Sequence, residues 1–256
     1  MSNDNNKVKA IIGALEALRG SEEKRRVLAS FFKTGKGQYG EGDVMLGVTV
    51  PNTRQIAKKH ADLSLQTVEE LLHCNYHEVR LCALLILVEQ YKVLNRKKDS
   101  AAQERREIVE LYLRNAPYIN NWDLVDLSAP QIVGQYLLDN TDRQLLYNLA
   151  ADSLLWRRRI AVVSTYTLIR HGSYQDTLNL VRLLISDSQD LMHKAMGWML
   201  REVGKQEEVV LTDFLDETAH ILPRTTLRYA IERLAPERRK YYMEKKNMQI
   251  SVNQFD

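Results

Sequence analysis

Trp122 and Asp126, in the run Asn120-Asn121-Trp122-Asp123-Leu124-Val125-Asp126, place an indole and a carboxylate four positions apart. On a helix that spacing puts both on one face, looking into the same space. The face of an indole attracts a cation and a carboxylate stabilises one, so the pair suits something flat and positively charged. Taken alone, such a pair also reads as a core tryptophan with a capping or salt-bridging carboxylate. It does not stand alone. Trp156, Arg159, Trp198 and Arg201 recur further along, at positions that a repeated helical architecture would bring together, and the set holds all three tryptophans of the chain.

The elements that must position these groups are helices. Eleven glycines and five prolines in 256 residues leave little punctuation for a sandwich or barrel. Val8, Ile11, Ile12, Leu15 and Leu18 mark a first amphipathic stripe, and Ser21-Glu22-Glu23 gives a capped, acidic start to a second helix. One long irregular segment follows, Lys33 to Pro51. Beyond it the apolar spacing predicts helical pairs over 52–60 and 65–73, 77–93 and 101–113, 121–138 and 142–151. Three more run over 155–170 and 174–186, 189–204 and 206–219, and 223–234 and 236–246. No segment reads as a strand. The expected fold is all-α, a curved α-α superhelix of stacked helical pairs forming a single domain over 1–256, with 245–256 as a flexible tail.

Cations recur within these pairs. Arg80, Arg159, Lys194 and Arg228 each sit early in a helix, and the last two steps are 35 and 34 residues. Stacked helical pairs offer a concave groove, and cations repeated at one helical position would make it basic and suited to a phosphate backbone. Arg158 and Arg201 join these four as candidate DNA-binding residues. The competing reading is that each is a solvated surface charge. Net charge, at +3, decides nothing.

Other signals carry less. Gly35-Lys36-Gly37-Gln38-Tyr39-Gly40 spells G-x-G-x-x-G, but no strand precedes it and no helix starts within it, so it reads as a flexible loop near a ligand and no nucleotide cofactor is expected. His73, Cys74 and His77 crowd together without a fourth ligand, so no metal is expected. No G-x-S-x-G occurs and nothing marks a serine or cysteine nucleophile. Cys74 and Cys82 make no disulfide framework, the opening residues are polar, and no apolar run approaches a membrane span. These features point to a cytoplasmic protein that meets no membrane.

Three strings together resemble the AlkD-like DNA alkylation repair family, HEAT-like-repeat glycosylases that remove alkylated purines. They are Asn121-Trp122-Asp123-Leu124-Val125-Asp126, Trp156-Arg157-Arg158-Arg159-Ile160-Ala161, and Lys194-Ala195-Met196-Gly197-Trp198-Met199-Leu200-Arg201-Glu202. The segment from Phe31-Phe32-Lys33 through Leu46-Gly47-Val48 fits a sub-branch of that family. The resemblance implies a catalytic carboxylate at Asp126, paired site tryptophans at Trp122 and Trp198, and a phosphate-gripping arginine at Arg159. It also implies that the lesion is engaged from the backbone side while stacked. Asn121 departs from the family pattern, which places a further aromatic there in its best-known members.

Alkylation at N3 or N7 makes the purine a cationic leaving group, and its departure leaves an oxocarbenium-like deoxyribose that a carboxylate can stabilise. The expected function is a monofunctional glycosylase acting, without cofactor and as a monomer, on double-stranded DNA containing alkylated purines. Two other classes compete: a catalytically silent binder of DNA structure with the same fold, and a helical-repeat scaffold that binds protein.

Overall fold

In the computed structural model, which describes residues 2–252, the chain folds as two compact units, 1–136 and 137–256. The first holds α1 (Ser2–Glu16), α2 (Glu22–Phe31), α3 (Val50–Lys59), α4 (Leu65–Leu72), α5 (His77–Arg96), α6 (Ala102–Arg114) and α7 (Trp122–Ala129). A π-helical turn, Pro130–Gly134, runs directly from α7 into α8 (Gln135–Asp139). The second unit holds α9 (Gln144–Ala150), α10 (Leu155–Arg170), α11 (Gln175–Leu183), α12 (Asp190–Gln206), α13 (Glu208–Thr218), α14 (Arg224–Ala230) and α15 (Pro236–Val252). The architecture is all-α. Among the described residues the sole extended pairing is an isolated bridge between Val44 and Tyr76. No described helix is long and apolar enough to cross a membrane. Part of the segment read from sequence as a tail belongs to α15, and residues 253–256 lie outside the described ones.

Local chemistry sets the boundaries. Ser21 Oγ accepts from Lys24 N–H and caps α2, whose first turn carries Glu22 and Glu23. Ser64 does the same for α4 through Thr67 N–H. Pro51, without an N–H to leave unsatisfied, sits in the first turn of α3. The helix at the centre of the first unit is α5, on which α3, α4, α6 and α7 pack. Every residue from His77 to Val88 is buried, so it has no solvent face for much of its length. In the second unit α12 is packed by α10, α13 and α14.

The far end of the long segment after α2 is pinned to α5. Glu78, 2 % exposed, accepts hydrogen bonds from the backbone N–H groups of Leu46 (2.8 Å), Gly47 (2.6 Å) and Val48 (3.3 Å). Gly47 has a φ of +80°, a conformation that presents its N–H to the carboxylate at little steric cost only without a Cβ. Upstream, Val44 N–H donates to Asn75 and His77 N–H donates to the Val44 carbonyl. The segment is stitched to the start of α5.

α12 and α14 approach more closely than side chains normally permit. A Cβ at Gly197 would lie 2.5 Å from Tyr229 Cβ and 2.6 Å from the Thr226 carbonyl oxygen. Gly197→Ala therefore has to push α14 outward, an overpacking expected to cost about 1–3 kcal/mol in chemical denaturation despite alanine's better helix propensity. A variant as stable as the parent would show that the contact yields freely.

Candidate active site

The first unit builds a buried polar cluster around the start of α7. Asn121 caps that helix, its Oδ1 accepting from Trp122 N–H at 3.0 Å, and Trp122 and Asp126 then follow one turn apart. Both are half-buried. Between them Asp123 turns inward, where its Oδ2 accepts from His77 Nε2 at 2.8 Å. The other ring nitrogen of His77 donates to Asp43 Oδ2 at 3.3 Å. Asp43 also pairs with Arg80 Nη2 at 2.5 Å and accepts from Asn120 Nδ2 at 3.1 Å. Arg80 completes its contacts at the Cys74 carbonyl and Asn120 Oδ1, each 2.9 Å away.

Charge follows from this geometry. Burial alone would raise the Asp43 pKa, but the His77 hydrogen bond, the Arg80 charge and the Asn120 amide overcome it and hold the carboxyl below its usual range. Burial alone would lower the His77 pKa; hydrogen bonds to Asp123 and Asp43 reverse that and raise it to about 9. His77 is an imidazolium at neutral pH. Only that form donates from both nitrogens, as two acceptor-only carboxylates require.

An aromatic layer covers the cluster. The Phe32 ring lies 4.9 Å from His77 and stacks on Trp122 at 5.5 Å, while Phe31 meets Trp122 edge-on at 5.8 Å. Asn121 Nδ2 donates to the Phe32 carbonyl at 3.1 Å, and Gly40 fits against the same carbonyl. On the far side of α7, Tyr112 is fully buried and shares a 2.8 Å hydrogen bond with Ser128. Burial pushes the Tyr112 phenol up, and the negative charge of Asp126 pushes it further.

The candidates of the second unit lie on α10 and α12. Trp156, 5 % exposed, is a core residue. Arg159, 4 % exposed, donates from Nη1 to the Leu191 carbonyl at 2.6 Å, tying α10 to the start of α12. Arg158 pairs with Asp187 at 2.7 Å. Trp198 is half-buried; its Nε1 donates to Glu202 at 3.2 Å and its ring lies 6.0 Å from Tyr166. Lys194 pairs with Asp190 at 2.7 Å, Arg201 with Glu232, and Arg228 is exposed.

The sequence reading thus meets several differences. Arg80, grouped with the groove cations, is 4 % exposed and its guanidinium is committed to Asp43 and Asn120. The sequence reading assigns no role to His77, Asp43 or Glu78, and takes Phe31 and Phe32 only as the start of the segment that fits a sub-branch of the resembled family. His73 and His77 serve separate partners, since His73 Nε2 bonds Asn115 Oδ1 at 2.8 Å. Among the described residues no cluster of three or more His, Cys, Asp or Glu side chains is placed to hold a metal ion. Gly35 and Gly37 direct their N–H groups to Gln38 and Glu41 within the same turn, and no helix begins there.

The fold defined by these helices is found in a solved structure described as a predicted DNA alkylation repair enzyme from Enterococcus faecalis. The two superimpose with a TM-score of 0.65 at 15 % identity, over 86 % of this chain and 98 % of that one. Residues 11–234 match the sequence profile of the family described as DNA alkylation repair enzyme, and the chain belongs to that family. No curated protein sequence matches it.

The His77 bridge makes stability depend on pH. Its folded pKa, about 9, lies above the ordinary 6.5, so its contribution is full below about pH 6.5 and is lost as pH rises through 9. Asp43 acts in the opposite sense, its contribution falling away only in acid. Urea midpoints should therefore decline between pH 6.5 and 9.5, and His77→Gln should flatten that decline. An equal decline in both proteins would place its origin elsewhere.

Proposed function

We propose that this protein is a monofunctional glycosylase that hydrolyses the N-glycosidic bond of purines alkylated at N3 or N7 in duplex DNA, leaving an abasic site. The observation that carries the reading is the pairing on α7: an indole and a carboxylate share one face, both half-buried, while the neighbouring acid Asp123 is turned into the protein. A substrate whose base is already cationic needs little acid catalysis. Its reaction needs a fixed negative charge where the deoxyribose becomes cationic, and a group to orient or deprotonate water. Asp126 takes both roles, and the Trp122 face favours the cationic nucleoside.

In the same reading Trp198, in the second unit, is a further tryptophan offered to the DNA, and Arg159, Arg158, Lys194, Arg201 and Arg228 supply DNA contacts. Family membership supports DNA as the substrate. Arg80 is better assigned to the buried cluster than to phosphate, because its charge is already neutralised by Asp43.

The deciding assay is release of 7-methylguanine from methylated duplex DNA. The parent should release it, and Asp126→Asn, which removes charge and keeps shape, should lose about 100-fold to 1000-fold in single-turnover rate with DNA affinity nearly intact. Release by neither protein, with binding retained, would instead make the chain a silent DNA binder. Arg159→Ala should weaken DNA binding and lower the salt slope by about one counterion. Unchanged affinity and slope would leave Arg159 as an anchor between α10 and α12.

A further inference from the structure

We propose that His77 is a positioning residue for Asp126: its imidazolium, clasped between Asp123 and Asp43, fixes the first turn of α7 against the 33–49 segment. The inference rests on the glycosylase reading of Asp126.

Asp123 lies in the first turn of α7 and Asp126 in the next. The helix continues through the π-helical turn into α8, so its first turn is the end that contacts from elsewhere must hold. What holds its start is a set of contacts converging from two other elements. From α5, His77 Nε2 reaches Asp123 at 2.8 Å. From the 33–49 segment, Asp43 takes the other ring nitrogen at 3.3 Å and also accepts from Asn120, two residues before α7 begins. Phe32, between the His77 ring at 4.9 Å and the Trp122 ring at 5.5 Å, has its carbonyl tied to Asn121. The His77 side chain bonds both α7 and this segment directly.

The clasp depends on charge. A neutral imidazole has one N–H and satisfies one carboxylate, leaving the other facing a lone pair. The charged groups around the ring are Asp43 from the segment, Asp123 from α7 and Arg80 from its own helix. Glu78, the next residue on α5, is engaged by the N–H groups of residues 46–48 and does not compete. With Arg80 already on Asp43, loss of the His77 proton would leave Asp123 without its donor or Asp43 with one fewer. Either opens the start of α7, and a shift on the order of 1 Å in a catalytic group costs roughly 100-fold in rate.

The test compares the parent with His77→Gln and Asp43→Asn, using duplex DNA bearing 7-methylguanine. Three quantities are read: single-turnover release from pH 6 to 10, DNA affinity, and amide hydrogen exchange across residues 33–48 and 122–129. The clasp requires that His77→Gln release base about 10-fold to 100-fold more slowly while binding DNA within about threefold of the parent. Its alkaline limb, a fall in rate through about pH 9 in the parent, should vanish. Exchange should quicken in both segments for both variants. A folded His77→Gln with the parent's rate, or with an unchanged alkaline limb, overturns the proposal. Should the parent release no base, the glycosylase reading fails by itself, and unaltered exchange in both segments of His77→Gln would then overturn the clasp separately.

Discussion

Withdrawing His77, Glu78 and Arg80 from water on a single turn of α5 is the constraint on which the first unit depends. Their exposures are 1 %, 2 % and 4 %. A buried charge without partners costs several kcal/mol, so each had to be met by groups from elsewhere in the chain. Glu78 gathers three backbone N–H groups of the segment after α2, and Arg80 and His77 gather Asp43 from the same segment. His77 and Arg80 then reach Asp123 and Asn120 at the entry to α7. One helical turn therefore sets the path of some fifteen irregular residues and the starting angle of the helix that carries the candidate site. Apolar packing alone would bring α7 and α5 together without specifying that angle, because the hydrophobic effect has no direction.

The same constraint sorts the carboxylates. Asp43 and Asp123 face an imidazolium and a guanidinium; they are spent on structure and cannot also serve a substrate. Asp126 is placed differently, half-buried on the face of α7 that also carries Trp122. Its charge makes the Tyr112 phenol harder to ionise. Electrostatic catalysis asks for a negative charge held near solvent, where an opposite charge can develop. The sequence reading singles out Asp126 through its pairing with Trp122, and the structure turns the neighbouring Asp123 inward onto His77.

Most of the helical pattern was legible in the chain because the apolar period is strong and the breaks carry caps. α10, expected over 155–170, spans Leu155–Arg170, and α5 and α12 fall within a few residues of their expected bounds. The stretch 121–138 was readable as helix but not as α7, a π turn and α8, since an extra residue in one turn leaves the hydrophobic period nearly unchanged. Arg80 shows the limit of reasoning by recurrence. Its position early in a helix matches that of Arg159, Lys194 and Arg228, yet Arg80 and Arg159 are each 4 % exposed while Arg228 is open to solvent, because exposure depends on what folds over the cation. That information sits about forty residues upstream, in Asp43. His77 was hidden for the same reason: a histidine beside a cysteine suggests a metal or nothing, until two distant carboxylates are seen to arrive at its ring.

Asn121 shows what the buried cluster does to the surface above it. Its amide bonds at both ends, Oδ1 accepting from the N–H of Trp122 and Nδ2 donating to the carbonyl of Phe32, and a Phe, Tyr or Trp side chain offers no such amide pair. The aromatic surface beside Trp122 is supplied instead from the end of α2, by the stacked ring of Phe32 and by Phe31, which is 58 % exposed. Both rings reach Trp122 only because the chain after α2 turns back on itself through Gly40, where a Cβ would lie 2.7 Å from the Phe32 carbonyl oxygen. Asn121 thus gives up an aromatic side chain in sequence and secures two in space. The rim next to the indole is consequently built by the end of α2, and the segment that follows it is held to α5 by His77 and Glu78.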